Sequence, residues 1–107
     1  MILVSRLFFV KNYVGLTLWP FIILKDDALK KDTILINHEK IHLKQQTELL
    51  VVFFYVLYLM EWSIRCVCYL NSYKAYKNIS FEREAYANER NLNYPTERKA
   101  FSFIKYL

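Results

Sequence analysis

From Thr33 onward the chain has no glycine or proline until Pro95, and along that stretch the polar and apolar positions change character. Asp32 or Thr33 can cap a helix that begins there. Residues 49–60 (LLVVFFYVLYLM) are apolar on every face of it. Past Glu61 the apolar positions resume with Trp62, Ile64, Cys66, Val67, Cys68, Tyr69 and Leu70. Nothing local stops this helix before Asn71, and over about 33–70 it measures roughly 57 Å at 1.5 Å per residue. That is longer than a small soluble domain is wide, so it either breaks or projects into something. The uninterrupted apolar run suits a buried core helix or a membrane-dipping segment. Counted through to Leu70, it reaches the roughly 20 residues of a membrane span. Glu61 and Arg65 stand four apart and can neutralise each other on one face, and the flanking Tyr and Trp suit a bilayer interface.

The flanking segments predict shorter elements. Residues 1–10 are apolar apart from Ser5 and Arg6, compatible with a short strand or a buried helical turn. With no small-residue cleavage site they are kept as part of the fold. Gly15 precedes residues 16–24 (LTLWPFIIL), rich in β-formers, whose Pro20 bars it from the middle of a sheet; an edge strand or an extended segment laid against a helix is expected. Residues 71–78 read as a polar, tyrosine-bearing turn with Lys74 and Lys77 meeting lipid phosphates or solvent. Ser80 is placed to cap a helix over 81–90 with acids in its first turn, which Pro95 and the surrounding asparagines close. Thr96 caps a last amphipathic helix whose Phe101, Ile104 and Leu107 can cover the core. The expected fold is mainly α with a short edge β-strand. It has one long helix, a second glutamate-bearing helix packed across it, and a C-terminal amphipathic helix.

Composition narrows the class. With 107 residues the chain makes one domain, 1–107, near the lower end of the size that buries its own core. Hydrophobic residues at 55% and a single glycine exclude a disordered or linker-like chain. The net charge of +5 is spread along the sequence without a basic block, so anionic lipid headgroups fit it better than nucleic acid, for which no motif is present. Cys66 and Cys68 face different ways on a helix, so they neither bridge each other nor share a metal. They read as small buried hydrophobes in a reducing compartment.

The candidate chemistry lies in Asn37-His38-Glu39-Lys40-Ile41-His42, which holds both histidines of the chain. Four apart on a helix, the two imidazoles share a face and can grip one ion. Glu39 points off to the side, where a general base must lie to work on a metal-bound water without taking a ligand position. This is the HExxH pattern, and its use depends on helical context. Zinc wants a third protein ligand. Cys66 and Cys68 lie several turns away along the same helix, so a carboxylate from a separate helix is needed. Glu82 and Glu84 are the candidates, and the residues alone leave the two open. Tyr73, Tyr76 and Tyr86 are candidates to donate to an oxyanion, and no spacing argument selects one. Gln45 and Gln46 lie one turn beyond His42, as partners of the ligands or as solvated surface.

HEKIH followed downstream by a helix carrying E-x-x-A resembles the gluzincin-type zinc peptidases. The nearest likeness is to the group that includes the membrane prenyl-protein endopeptidase and the peptidase domains of bacterial β-lactam sensors, with the minigluzincins similar in size. The resemblance covers residues 37–46 and 81–89. It implies zinc held by His38, His42 and Glu82, with Ala85 in the alanine place and Glu39 as the catalytic base. It also implies an edge strand that pairs with a peptide or protein substrate. Tyr86 departs from the pattern, standing where the family usually has an aspartate that supports the metal helix. The expectation is a membrane-associated zinc metallopeptidase with a cytoplasmic-facing active site, in contact with lipid and with a partner membrane protein or a second copy. The competing expectation is a small non-enzymatic membrane subunit or accessory protein whose HEKIH site is vestigial or structural.

Overall fold

The computed structural model of the chain describes residues 2–5 and 13–107. The reading of residues 1–10 therefore falls partly outside the described residues; within them, Ile2–Val4 forms a strand, β1. Strands β2 (Gly15–Leu18) and β3 (Phe21–Leu24) complete a three-stranded sheet in the order β1-β3-β2. β3 runs parallel to β1, with Ile22 opposite Ile2, and antiparallel to β2, with Ile22 opposite Thr17. The β-forming run over 16–24 is thus a hairpin instead of one edge strand. Pro20 sits in its two-residue turn, after a cis Trp19–Pro20 peptide, and so removes no donor from the ladder. Of the two hairpin strands β2 lies at an edge of the sheet, and β3 buries Ile22, Ile23 and Leu24 at its centre.

Helix α1 (Thr33–Glu48) begins at Asp32, whose carboxylate accepts from the Leu35 amide at 3.0 Å. Gln46 locks α1 to the sheet edge. Its amide nitrogen donates to the Thr17 carbonyl at 2.9 Å, and its side-chain oxygen accepts from the Trp19 amide at 2.9 Å.

The single long helix expected over 33–70 is two helices. The chain breaks after α1 and resumes as α2 (Val52–Tyr69). Between them Leu50 and Val51 take positive φ values of 54° and 61°, and the Val52 amide donates to the Leu50 carbonyl at 2.6 Å, closing a γ-turn on Val51. Packing supplies what local sequence does not. A straight continuation would carry Phe54 away from the body, whereas the turn buries it against Phe81, with ring centroids 4.6 Å apart. Ile79 and Phe103 complete this cluster.

Asn71 caps the short α3 (Ser72–Lys77), its side chain accepting from the Tyr73 and Lys74 amides. α4 (Ser80–Asn88) follows, with Ile79 in the capping position. Ser80 does not cap; its amide and hydroxyl both donate to the Glu61 carboxylate at 2.7 Å.

The C-terminal amphipathic helix is also not formed. Tyr94–Glu97 makes one turn, α5, begun by the buried Pro95, and Ser102–Tyr106 makes a 3-10 turn. Phe103 enters the core, while Phe101, Ile104 and Leu107 stay exposed. The tail is held by Arg98, whose guanidinium grips Glu84 of α4 (2.6 and 2.9 Å) and Glu48 of α1 (2.9 and 3.1 Å). The protein is mainly helical with a small sheet.

Candidate metal centre

α1 presents His38 and His42 one turn apart, and the first turn of α4 brings Glu82 across them. The two Nε2 atoms stand 3.2 Å apart, and Glu82 Oε1 lies 3.0 Å from each. All three residues are buried, and the group could hold a metal ion. A tetrahedral zinc with bonds of about 2.0–2.1 Å separates its ligand atoms by roughly 3.3 Å, close to the spacing found.

The outer ring nitrogens decide what the inner ones offer. His38 Nδ1 lies 2.9 Å from Glu89 Oε1, and a carboxylate can only accept there. His42 Nδ1 lies 2.7 Å from Gln45 Oε1. Gln45 spends its amide hydrogens on the Phe81 carbonyl and Glu84 Oε1, which fixes its oxygen as the acceptor. Both Nδ1 atoms therefore carry hydrogen, and in the neutral rings both Nε2 lone pairs point at a carboxylate oxygen. Three lone pairs so close repel unless a cation or a proton sits among them. The donor set fits a metal.

The charges agree. Burial disfavours a charged His42, yet the adjacent Glu82 carboxylate and its hydrogen bond outweigh it and push the ring up to about 9. Burial likewise works to raise Glu82, but the charge of His42 and hydrogen bonds from both rings hold its carboxyl well below the usual range. Without metal, a proton occupies this junction, so proton and cation compete for it.

Glu39 is buried beside the ligands. The Thr17 hydroxyl on β2 donates to its Oε1 at 2.8 Å and also reaches its carbonyl oxygen at 3.1 Å. Burial raises its pKa, opposed by the two histidines and by Thr17. Gly15 lets β2 approach closely here: a Cβ on it would stand 3.2 Å from Glu39 Oε2 and 3.1 Å from Leu35 Cδ1, so those side-chain ends would have to shift.

Glu39 is shared by two cavities. The larger, about 390 Å³, runs past His42 and Glu82 and has apolar walls from Leu16, Phe54, Tyr55 and Leu59. The smaller, about 330 Å³, runs past His38 and includes Asp32, Lys77 and Glu89. Tyr76 lines both, its hydroxyl 3.2 Å from that of Tyr86; burial keeps both hydroxyls protonated and able to donate. Tyr73 reaches only the smaller cavity.

Glu84, the second choice for third ligand, lies elsewhere. Fully buried, it is taken up by Arg98, Gln45 and the Tyr94 hydroxyl. Gln45 and Gln46 are buried partners and not solvated surface.

Two contributors were missed in the sequence. Glu89, seven residues beyond Glu82 and so two turns on along the same face, gives His38 the carboxylate that Tyr86 cannot, while the Tyr86 ring lies against His38 at 4.4 Å between centroids. The period alone could have found it. Tyr58 on α2 donates to Glu82 Oε2 at 2.8 Å, leaving Oε1 toward the histidines; no spacing pointed to it. Comparison with family models, with characterised proteins and with solved structures returned no match.

Proposed function

We propose that the protein is a minimal zinc metallopeptidase of the gluzincin kind, with His38, His42 and Glu82 as the residues that hold the metal. The observation carrying this reading is the convergence of two Nε2 atoms and one carboxylate oxygen within 3.2 Å, with both Nδ1 atoms engaged behind them. These residues would hold zinc, which would supply Lewis acidity toward a carbonyl and a bound water. Glu39 works as general base through Oε2, since Oε1 is occupied by Thr17, and it returns the proton to the leaving amine. Its raised pKa suits both directions of transfer. Tyr76, protonated and facing both cavities, is the donor for the oxyanion. The apolar walls of the larger cavity take an apolar side chain of a peptide or protein substrate.

The test is zinc content of the purified chain together with turnover of a peptide library. His38→Ala should lose the metal, and Glu39→Gln should keep it while peptide cleavage falls by at least about a hundredfold. Stoichiometric zinc with no cleavage by the unaltered chain would leave a structural metal site in an accessory protein. Full activity of Glu39→Gln would remove Glu39 from the mechanism.

A further inference from the structure

Helix α2 is apolar on the face turned to solvent as well as on the face turned to the core. The face it turns to the protein carries Phe54, Tyr58, Glu61, Trp62, Arg65 and Tyr69, while the face turned away carries Phe53, Val56, Leu57, Met60, Ile64 and Val67. These six outward residues are 39–77% exposed. An ordinary surface helix is polar on its outward face, so the outward stripe is made for an apolar contact. α2 is the one helix among the described residues long and apolar enough to cross a membrane.

The packed face argues against crossing. Tyr58 reaches Glu82, Glu61 takes both donors of Ser80, the Trp62 indole donates to the Ser72 carbonyl at 3.2 Å, and Lys74 Nζ lies 4.7 Å over the Tyr69 ring. These contacts occupy most of the roughly 27 Å length of α2, so a spanning α2 would draw Ser72, Lys74, Ser80 and Glu82 to hydrocarbon depth. With its inner face tied to these polar groups, α2 can offer lipid only its outward stripe, which places it along the interface instead. Charge selects the surface. Between Glu48 and Glu82 the only acid is Glu61, which Arg65 pairs at 3.9 Å, so Lys74 and Lys77 are the net charge of this segment.

We infer that α2 docks lengthwise into the interface of an anionic lipid bilayer, its Phe53–Val67 stripe in the acyl boundary and the body of the protein on the aqueous side. This does not depend on the metal reading. The test uses the full chain with vesicles of phosphatidylcholine, with and without phosphatidylserine. Flotation should be strong with phosphatidylserine and at least several-fold weaker without it; equal flotation on both overturns the anionic preference. Val56→Glu with Met60→Glu, both outward positions, should lower partitioning at least about tenfold while the thermal midpoint is kept. If the pair unfolds the chain, depth measurement decides alone. Spin labels placed singly at 53, 60 and 67, with Cys66 and Cys68 replaced, should report one common depth. A profile deepest at 60 and shallow at both ends means a spanning helix and overturns the inference. Absence of flotation with self-association through the same stripe does so too.

Discussion

His38 shows how much one side chain depends on an acid outside its motif. The sequence pointed to His38, His42 and Glu39 because HExxH lies within a few residues and needs only a helix to become geometry. Glu82 was reachable as one of two acids on a downstream helix, and the E-x-x-A likeness singled it out over Glu84. Glu89 was not, because the family pattern has its supporting acid at the place of Tyr86, and the structure delivers that acid one turn later. Since the His38 Nδ1 hydrogen needs an acceptor to keep Nε2 facing the ion, Glu89→Ala should weaken zinc binding by about 10–100-fold in chelator competition. Glu89→Gln, which retains an acceptor oxygen, should recover most of the loss. Equal affinity of Glu89→Ala and the unaltered chain would mean the ring is oriented by its packing on Tyr86 alone.

At the scale of elements, the hairpin and the break between α1 and α2 were illegible for different reasons. In residues 16–24 the β-pattern is legible, but a proline in an edge strand and one in a tight turn look alike in sequence, and Pro20 belongs to the turn. Between α1 and α2 no glycine or proline marks the reversal. It is imposed by Phe54 meeting Phe81, a contact between residues distant in sequence. The tail misled in the opposite way, since its helical spacing was real but only Phe103 found a place in the core. The cost of the break falls on Val51, a β-branched residue at φ 61°. Val51→Gly relieves that strain at some expense in unfolded-chain entropy, so it should leave stability unchanged or raise it by up to about 1 kcal/mol, read by urea denaturation. A loss of more than about 1 kcal/mol would show that the Val51 side chain matters more through packing than through strain.

For the molecule as a whole, the buried junction makes stability depend on metal and pH together. His42 has a folded pKa near 9 against an ordinary value of 6.5 in the metal-free chain, so its contribution is fully present below 6.5 and lost as pH rises through about 9. Glu82 has a lowered pKa, so its contribution is present above its ordinary value of 4.5 and lost as pH falls through its folded value. The chelator-treated protein should therefore melt highest between about 4.5 and 6.5 from this pair, and lower at pH 10. Zinc affinity should move oppositely, rising with pH as the proton leaves, with proton release at pH 7 measurable by calorimetry in buffers of different ionisation heat. No proton release, or a metal-free midpoint flat from pH 6 to 10, would remove His42 from the site.

The Tyr58 hydroxyl gives that junction a mechanical link to the outer surface. One phenol belongs to the greasiest helix and holds the far oxygen of Glu82. A tilt or lift of that helix is thus transmitted through a single bond to the carboxylate beside the imidazoles. For a helix docked at a bilayer as inferred above, lateral pressure at that surface would reach the proposed ion site through one phenol.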